Sequence, residues 1–411
     1  MIEGKNGGPM TDIREKLWTR EYGLITCSNF FMSLNFFSLL TIMPKYALDV
    51  FHMSEAQAGF VAGLFIAGIL SARLFAASAV NYVGYKRMLS VGLVLLVTVT
   101  MGYFAAGSAV LLCVIRFLHG VSYGMTSNTN LTIISNIIPE ARRGEGLGYY
   151  SLVQVLSSAL GPFVGLNLAN SGNYGAVFVF GAVLPAVNMI FLPFLRLKGL
   201  ERPPLEQAGA DRPEEDGTLF LDRFIERRVV PVGLITMLLM LFNAAIMTFM
   251  AVFASRNNLT EAAAYYFIVN AVVVLISRPF VSKLYDRRGP NFILYPAFVV
   301  YSAGFLILSQ SYHAATLLLA AAVFGMGFGT IQIGTMAFAN SIVPRRRLGL
   351  ANATYYFSID LSSATGPMIA GLLIPWIGFR GLFLTGFFMA LLGGLAYHLL
   401  DGRKQSFKKE E

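Results

Sequence analysis

Long apolar runs with almost no charge dominate the chain, and this pattern constrains the fold more than any other feature. Only 13% of the 411 residues are charged, whereas 56% are hydrophobic. A bilayer core about 30 Å thick is crossed by a helix of roughly 20 apolar residues, and lipid offers backbone groups no hydrogen bonds outside a helix or barrel. The sequence therefore predicts an all-α membrane protein with twelve transmembrane helices. The predicted spans are 23–44, 57–77, 88–106, 109–136, 145–170, 174–195, 229–255, 261–284, 291–310, 313–340, 349–373 and 376–400.

The positive charge is unevenly distributed along the chain. If the N-terminus is inside, 27 of the 31 Lys and Arg residues fall on the same side, in the tails, in alternate loops or in the adjoining ends of the spans. The opposite loops hold Lys45, Arg256 and Arg380, and Arg116 lies within the fourth predicted helix. This is the positive-inside pattern, and it predicts that both termini are cytoplasmic. The net charge of +9 then reflects topology, and we expect no nucleic-acid partner.

The chain contains an internal repeat at a fixed offset of 205 residues. Ser-Ser-Ala-x-Gly-Pro occurs at 157–162 and again at 362–367. Two six-helix halves separated by a polar linker are therefore expected, an arrangement typical of secondary transporters that work by alternating access. The predicted units are a tail (1–22), a bundle (23–195), a linker (196–228), a second bundle (229–400) and a tail (401–411).

Three short motifs lie on the expected helices. The turn after the second helix keeps Gly84, and its copy in the second half keeps Asp286, Arg287 and Gly289. The fourth helix carries R-x-x-x-G from Arg116, and the fifth carries G-P-x-x-G at Gly161, Pro162 and Gly165. In this order, with this topology and repeat, the motifs resemble the major facilitator superfamily and its twelve-helix drug:proton antiporter branch.

The resemblance implies a cytoplasmic gate around the two repeated turns. The expected gate residues are Arg73, Asn81, Gly84, Arg278, Asp286, Arg287 and Gly289. Asn81 stands where the family has Asp, so we expect the latch at Asp286 to be the stronger one. The alternative is that these charges only follow the positive-inside rule. The G-P-x-x-G motif is associated in the family with antiporters, and hence with export.

Asp360 is the only carboxylate predicted to lie deep within the membrane, and its equivalent in the first half is Val155. An intramembrane acid is costly and is usually functional, so Asp360 is a candidate proton carrier or counter-ion for a cationic substrate. The alternative is a protonated side chain bonded to a neighbouring helix. The resemblance implies proton coupling for Arg116, which is otherwise a structural arginine. His119 can titrate near neutral pH or serve as a neutral hydrogen-bonding group.

Polar residues within the spans suggest a substrate cavity. They are Asn29, Asn35, Asn128, Asn130, Gln154, Asn243, Asn270, Gln332, Tyr355 and Tyr356. An amphipathic cavity of this kind suits a neutral or weakly cationic molecule. The alternative is that each side chain forms a bond between helices.

The sequence predicts a monomeric cell-membrane transporter that exports a small organic molecule against proton entry. A proton symporter that imports a metabolite is the alternative. A receptor or membrane-embedded enzyme ranks behind both, because neither a large soluble domain nor a catalytic cluster is visible. No phosphate-binding loop or metal-ligand cluster occurs, so we expect no ATP, no metal and no cofactor.

Overall fold

The computed structural model describes residues 16–170, 172–197, 225–344 and 347–402, which form eleven α-helices. Ten of these are long and apolar enough to cross a membrane, and α6 is shorter. The prediction of an all-α membrane protein is therefore confirmed. The helices are α1 (Arg20–Phe51), α2 (Glu55–Val83), α3 (Tyr85–Gly102), α4 (Ala109–Ile137), α5 (Arg143–Asn170), α6 (Tyr174–Met189), α7 (Val230–Arg256), α8 (Thr260–Arg288), α9 (Pro290–Ser309), α10 (Ala314–Ser341) and α11 (Leu348–Tyr397).

The number of helices differs from the predicted twelve because α11 contains two predicted spans, 349–373 and 376–400. It has 50 residues, which at 1.5 Å per residue is about 75 Å of helix, more than twice the thickness of the hydrocarbon core. Gly378 breaks the helical path with φ 69° and ψ 176°, a conformation that favours glycine. Twelve separate helices therefore remain a prediction.

The same helix corner occurs twice, at Gly84 and at Gly289. Each glycine is the single residue between two helices, with φ 84° at Gly84 and φ 79° at Gly289. A positive φ is strained for any residue with a Cβ, so glycine is required at both corners. The two positions are 205 residues apart, and the structure thus repeats the local geometry that the sequence repeat predicts.

The helices pack in a two-fold pattern that follows the repeat. α2 packs along α11, α5 packs along α8, and α1 contacts α7. Under the offset of 205 residues, α2 corresponds to α8 and α5 corresponds to α11, so the first two contacts are equivalent. The unit boundaries remain predictions, because the tails 1–22 and 401–411 and the linker 196–228 lie largely outside the described residues.

The two halves meet closely near the α1–α2 and α7–α8 turns. Gly63 of α2 lies so close to α11 that an added Cβ would be 2.6 Å from the Ala364 carbonyl oxygen. Gly59, one turn earlier, lies against the backbone of Pro367. Small residues allow such close approach between membrane helices. This α2–α11 contact therefore closes the space between the halves at this end.

Two further contacts close the same end. Arg256, the last residue of α7, forms an ion pair with Glu55 at the start of α2, with 2.6 Å between Nη2 and Oε1. Phe163 of α5 and Tyr265 of α8 meet edge to face, with 5.5 Å between their ring centroids. The α5–α8 contact is thus aromatic, whereas its repeat equivalent between α2 and α11 is built on glycine.

Candidate functional site

Arg73 and Asp360 form an ion pair across the two halves. The Arg73 Nη1 group donates a hydrogen bond to Oδ2 of Asp360, which joins α2 to α11. Arg73 lies ten residues before the end of α2, and Asp360 is the thirteenth residue of α11, so both lie within their helices. The side chains are 41% and 20% exposed respectively. The structure therefore brings together a predicted gate residue and a predicted coupling residue.

The equivalent position in the other interface has no such pair. Arg278 of α8 corresponds to Arg73, but Val155 of α5 corresponds to Asp360 and carries no charge. The Arg278 Nε atom is buried and has no hydrogen-bond partner among the described residues. The interface between halves is therefore asymmetric in charge.

A buried hydrogen-bonded chain crosses the first half. Nη1 of Arg116 donates to the Tyr103 hydroxyl oxygen at 3.3 Å, and that hydroxyl lies 3.0 Å from Nδ1 of His119. Nε2 of His119 is 3.1 Å from Oδ1 of Asn35, whose amide donates to the Gly181 carbonyl oxygen at 2.6 Å. These distances fit a neutral His119 that carries its proton on Nε2. The chain connects α4, the end of α3, α1 and α6.

Arg116 is a buried cation held by neutral groups. It is 1% exposed, and its guanidinium lies 4.5 Å from the centroid of the Phe65 ring, a cation–π contact. Its Nε and Nη2 atoms have no hydrogen-bond partner, and no carboxylate of the described residues pairs with it. Arg116 and His119 thus lie inside the first half, separate from the Arg73–Asp360 pair, and their role in proton coupling stays a prediction.

The predicted antiporter motif lies where α5 packs on α1. A Cβ added at Gly161 would lie 2.7 Å from Cβ of Phe37, and one at Gly165 would lie 2.9 Å from the Ser38 carbonyl oxygen. Pro162 lies between them inside α5. The observed role of these residues is close helix contact, and their link with export is still implied only by the resemblance.

Several predicted cavity residues connect helices within one half. Asn130 donates to the Ser28 hydroxyl at 2.9 Å, between α4 and α1. Asn270 donates to the Ala321 carbonyl oxygen at 3.3 Å, between α8 and α10. Tyr355 is 1% exposed, with its hydroxyl 2.8 Å from that of Thr335. For these residues, as for Asn35, the structure shows the interhelical bonds that were the alternative interpretation.

The other predicted cavity residues differ in exposure. Tyr356 is 47% exposed, and its hydroxyl lies 3.5 Å from the Met336 sulfur. Gln154 is exposed, whereas Asn29 is buried with an unpartnered amide nitrogen. The half-buried ones are Asn128, Asn243 and Gln332. Their part in binding a substrate remains a prediction.

The structure describes most of the predicted gate residues, and their role as a latch stays a prediction. Asp286 and Arg287 are exposed at the end of α8, and Asp286 makes no ion pair with any described residue. The side chain of Asn81 lies outside the described part of the chain. Gly84 and Gly289 shape the corners, and Arg73 pairs with Asp360 instead of with a loop residue.

Sequence reasoning missed several residues of the interface and the buried chain. The G-x-x-x-G spacing of Gly59 and Gly63 was a usable signal for a close helix contact. Tyr103, which connects Arg116 with His119, follows α3 and carried no such signal. Glu55 and Arg256 are far apart in the chain, and no local sequence pattern predicts that they form an ion pair.

A bundle of membrane-crossing helices built from two repeated halves is the architecture of secondary membrane transporters. The sequence matches the profile of the Major Facilitator Superfamily over residues 25–345 and 297–411, and the chain belongs to this family. It is therefore a multi-pass membrane transporter and not an enzyme. The predicted recognition and the general fold are confirmed.

Two curated relatives are similar over most of the chain. The uncharacterized MFS-type transporter MJ1560 of Methanocaldococcus jannaschii is 24% identical over 294 residues, which cover 69% of this chain and 73% of the relative. The multidrug resistance protein MdtL of Escherichia coli is 25% identical over 323 residues, covering 76% of this chain and 78% of the relative.

Solved structures share the fold at low sequence identity. A POT family transporter in complex with 5-aminolevulinic acid superimposes with a TM-score of 0.78 at 12% identity, covering 93% of this chain and 96% of that one. The nucleoside transporter NupG gives 0.69 at 13% identity, covering 93% and 99%. At these identities the similarity establishes the architecture alone.

Proposed function

We propose that the chain exports a small organic molecule in exchange for protons, with alternating access to a site between its halves. The ion pair of Asp360 with Arg73 is the observation that carries this proposal. Asp360 is the only acid of the described residues that lies more than four residues from a helix end. An acid in such a place is a functional candidate, and here its partner is on the opposite half.

A proton would weaken this contact by neutralising the negative charge of Asp360. Arginine stays protonated in proteins, so only Asp360 can change the charge of the pair. When Asp360 takes up a proton, the attraction to Arg73 falls and α2 can separate from α11 at this level. When the proton leaves, the ion pair forms again. A contact between halves that depends on one proton is what coupled alternating access requires.

The direction of the open space follows from the charge distribution. With cytoplasmic termini, the closed end at Gly63, Ala364, Glu55 and Arg256 is external. We propose that the partly exposed side chains of Arg73 and Asp360 then face a space that opens toward the cytoplasm, where an exporter collects its cargo. Asp286 makes no ion pair with a described residue, and we propose that its latch forms when the cytoplasmic side closes.

Export is supported by the similarity to a multidrug resistance protein and by the G-P-x-x-G motif of α5. We place the protein in the cell membrane as a monomer. Arg116 and His119 remain candidates for a supporting role in proton transfer, because they belong to one buried chain of hydrogen bonds that contains an imidazole.

The proposal is tested in two stages. A strain that lacks the gene is screened for sensitivity to toxic compounds and for retained metabolites, which identifies a cargo. Transport of that cargo is then measured in vesicles with the proton gradient applied in either direction. Exchange predicts that cargo and protons move in opposite directions. Movement of both in the same direction establishes the symporter instead, and transport indifferent to the gradient refutes proton coupling.

A further inference from the structure

The charges deep in the described helices do not balance. Arg73, Arg116 and Arg278 each lie at least seven residues from a helix end and from the break at Gly378, and among the described residues Asp360 is the only acid so placed. Asp360 is already paired with Arg73. Two guanidinium groups therefore remain without a carboxylate among the described residues. Because arginine does not lose its proton in proteins, this positive charge persists at every pH of interest.

Arg278 and Arg116 differ in how accessible their side chains are to an incoming molecule. Arg116 is 1% exposed and enclosed by aromatic rings of the first half. Arg278 is half-buried, on a helix that packs against α5 of the other half. Its Nε–H has no acceptor among the described residues. A guanidinium without a carboxylate partner suits a bound anion.

The structure points to a small organic anion as the cargo, and we propose that Arg278 binds its acidic group. This inference rests on the proposed transport function and narrows its substrate class. The planar guanidinium matches the two oxygens of a carboxylate. A cationic cargo has no acid to bind, since Asp360 is occupied by Arg73. The cargo therefore differs from the neutral or weakly cationic molecule that the sequence suggested.

The repeat offers an independent argument for this site. In the α2–α11 interface, the equivalent arginine finds its counter-charge on the opposite helix at Asp360. In the α5–α8 interface, the corresponding position is Val155, so the chain itself supplies no counter-charge. In the proposed site, the acidic group of the cargo supplies the counter-charge for Arg278 that Asp360 supplies for Arg73.

The test is binding to the purified full chain in detergent, without a proton gradient. The probes are benzoate against its neutral isostere benzamide, and hexanoate against hexanamide, with affinities measured by ligand-observed NMR. A charge-assisted hydrogen bond predicts that each acid binds at least about tenfold more tightly than its amide. Arg278→Gln removes this preference, and Arg278→Lys retains part of it. Lys283→Gln, which removes an exposed charge from the same helix, leaves it intact.

Val155→Asp provides a second variant that keeps Arg278 in place. The new carboxylate at the repeat equivalent of Asp360 should pair with Arg278 and abolish the preference for acids. Equal affinity for acids and amides in the unaltered chain, absence of binding, or a preference that survives Arg278→Gln overturns the proposal. Because no gradient is applied, a preference for acids in a chain that shows no proton-driven export contradicts only the proposed function.

Discussion

Arg73 of α2 and Asp360 of α11 form an ion pair between residues 287 positions apart in the chain, one in each half of the protein. Beyond it toward the α1–α2 turn, Gly59 and Gly63 hold the same two helices in close contact. The α2–α11 interface thus combines a closely packed part with a charged part, and we propose that the attraction in the charged part depends on one proton. The α5–α8 interface differs, because an aromatic contact and an Arg278 without a carboxylate partner among the described residues occupy the corresponding places.

Exchange of the two charges tests whether the pair itself matters. Arg73→Asp and Asp360→Arg each place like charges in contact, so each alone should lower thermal stability and impair transport. The double variant restores opposite charges. Because both side chains are partly exposed, a double-mutant cycle should yield a coupling energy of only about 0.5–1 kcal/mol. Additive losses in the double variant would show that the two side chains act independently.

The close approach at Gly63 predicts a cost for the smallest added side chain. Gly63→Ala places a methyl group against the Ala364 carbonyl oxygen, so this contact, which we propose to be external, should loosen despite the higher helix propensity of alanine. Reaction of an engineered cysteine near Glu55 with a membrane-impermeant reagent should become faster. Gly148→Ala is the matched control, because a Cβ at Gly148 meets nothing within 4 Å. Equal reaction rates in both variants would contradict the assignment of this contact as the external closure.

The Tyr103 hydroxyl should contribute more to stability than an exposed tyrosine hydroxyl. Tyr103→Phe leaves Nη1 of Arg116 without its acceptor and Nδ1 of His119 without its hydrogen-bond partner. An unsatisfied buried group costs about 1–3 kcal/mol, and a charged one costs more. Tyr356→Phe, at an exposed position, should change the unfolding free energy little. The unfolding free energies of both variants are measured by denaturation in the same detergent. Equal values would show that the Tyr103 hydroxyl does not stabilise the buried hydrogen-bonded chain.

The repeat and the helices could be predicted from the sequence because both are local properties. Apolar run length predicts a membrane helix regardless of its neighbours, and Gly84 and Gly289 mark the same corner because positive φ needs glycine. The sequence predicted two spans, 349–373 and 376–400, but not that they are connected through the single altered residue Gly378. The apolar pattern does not show whether α11 stops or continues through a single altered residue.

The sequence identified residues of the site but not the contacts between them. Asp360 and Arg73 were both selected, yet they were given separate roles, since hydropathy does not tell which helix faces which. Asn35 and His119 were assigned to a cavity and to coupling, whereas the structure bonds them to each other inside one half. Burial of polar side chains between helices and exposure to a cavity give the same sequence pattern.

The two gate turns should differ in their importance for transport. Asp286 retains the family acid, whereas Asn81 has lost the charge at the equivalent position. Asp286→Asn should therefore lower the transport rate more than Asn81→Ala, when both are expressed at equal levels and assayed with the same cargo. Loss of equal size in the two variants contradicts the proposed asymmetry of the latch.

Cargo-driven proton movement in Asp360→Asn measures the central claim most directly. Vesicles that contain the unaltered chain or this variant are loaded with a pH-sensitive dye, and the cargo found in the deletion screen is added. The unaltered chain should release protons as cargo moves, whereas the variant should bind cargo and release none, because an amide cannot exchange a proton. Proton release by Asp360→Asn at the unaltered rate would contradict the account.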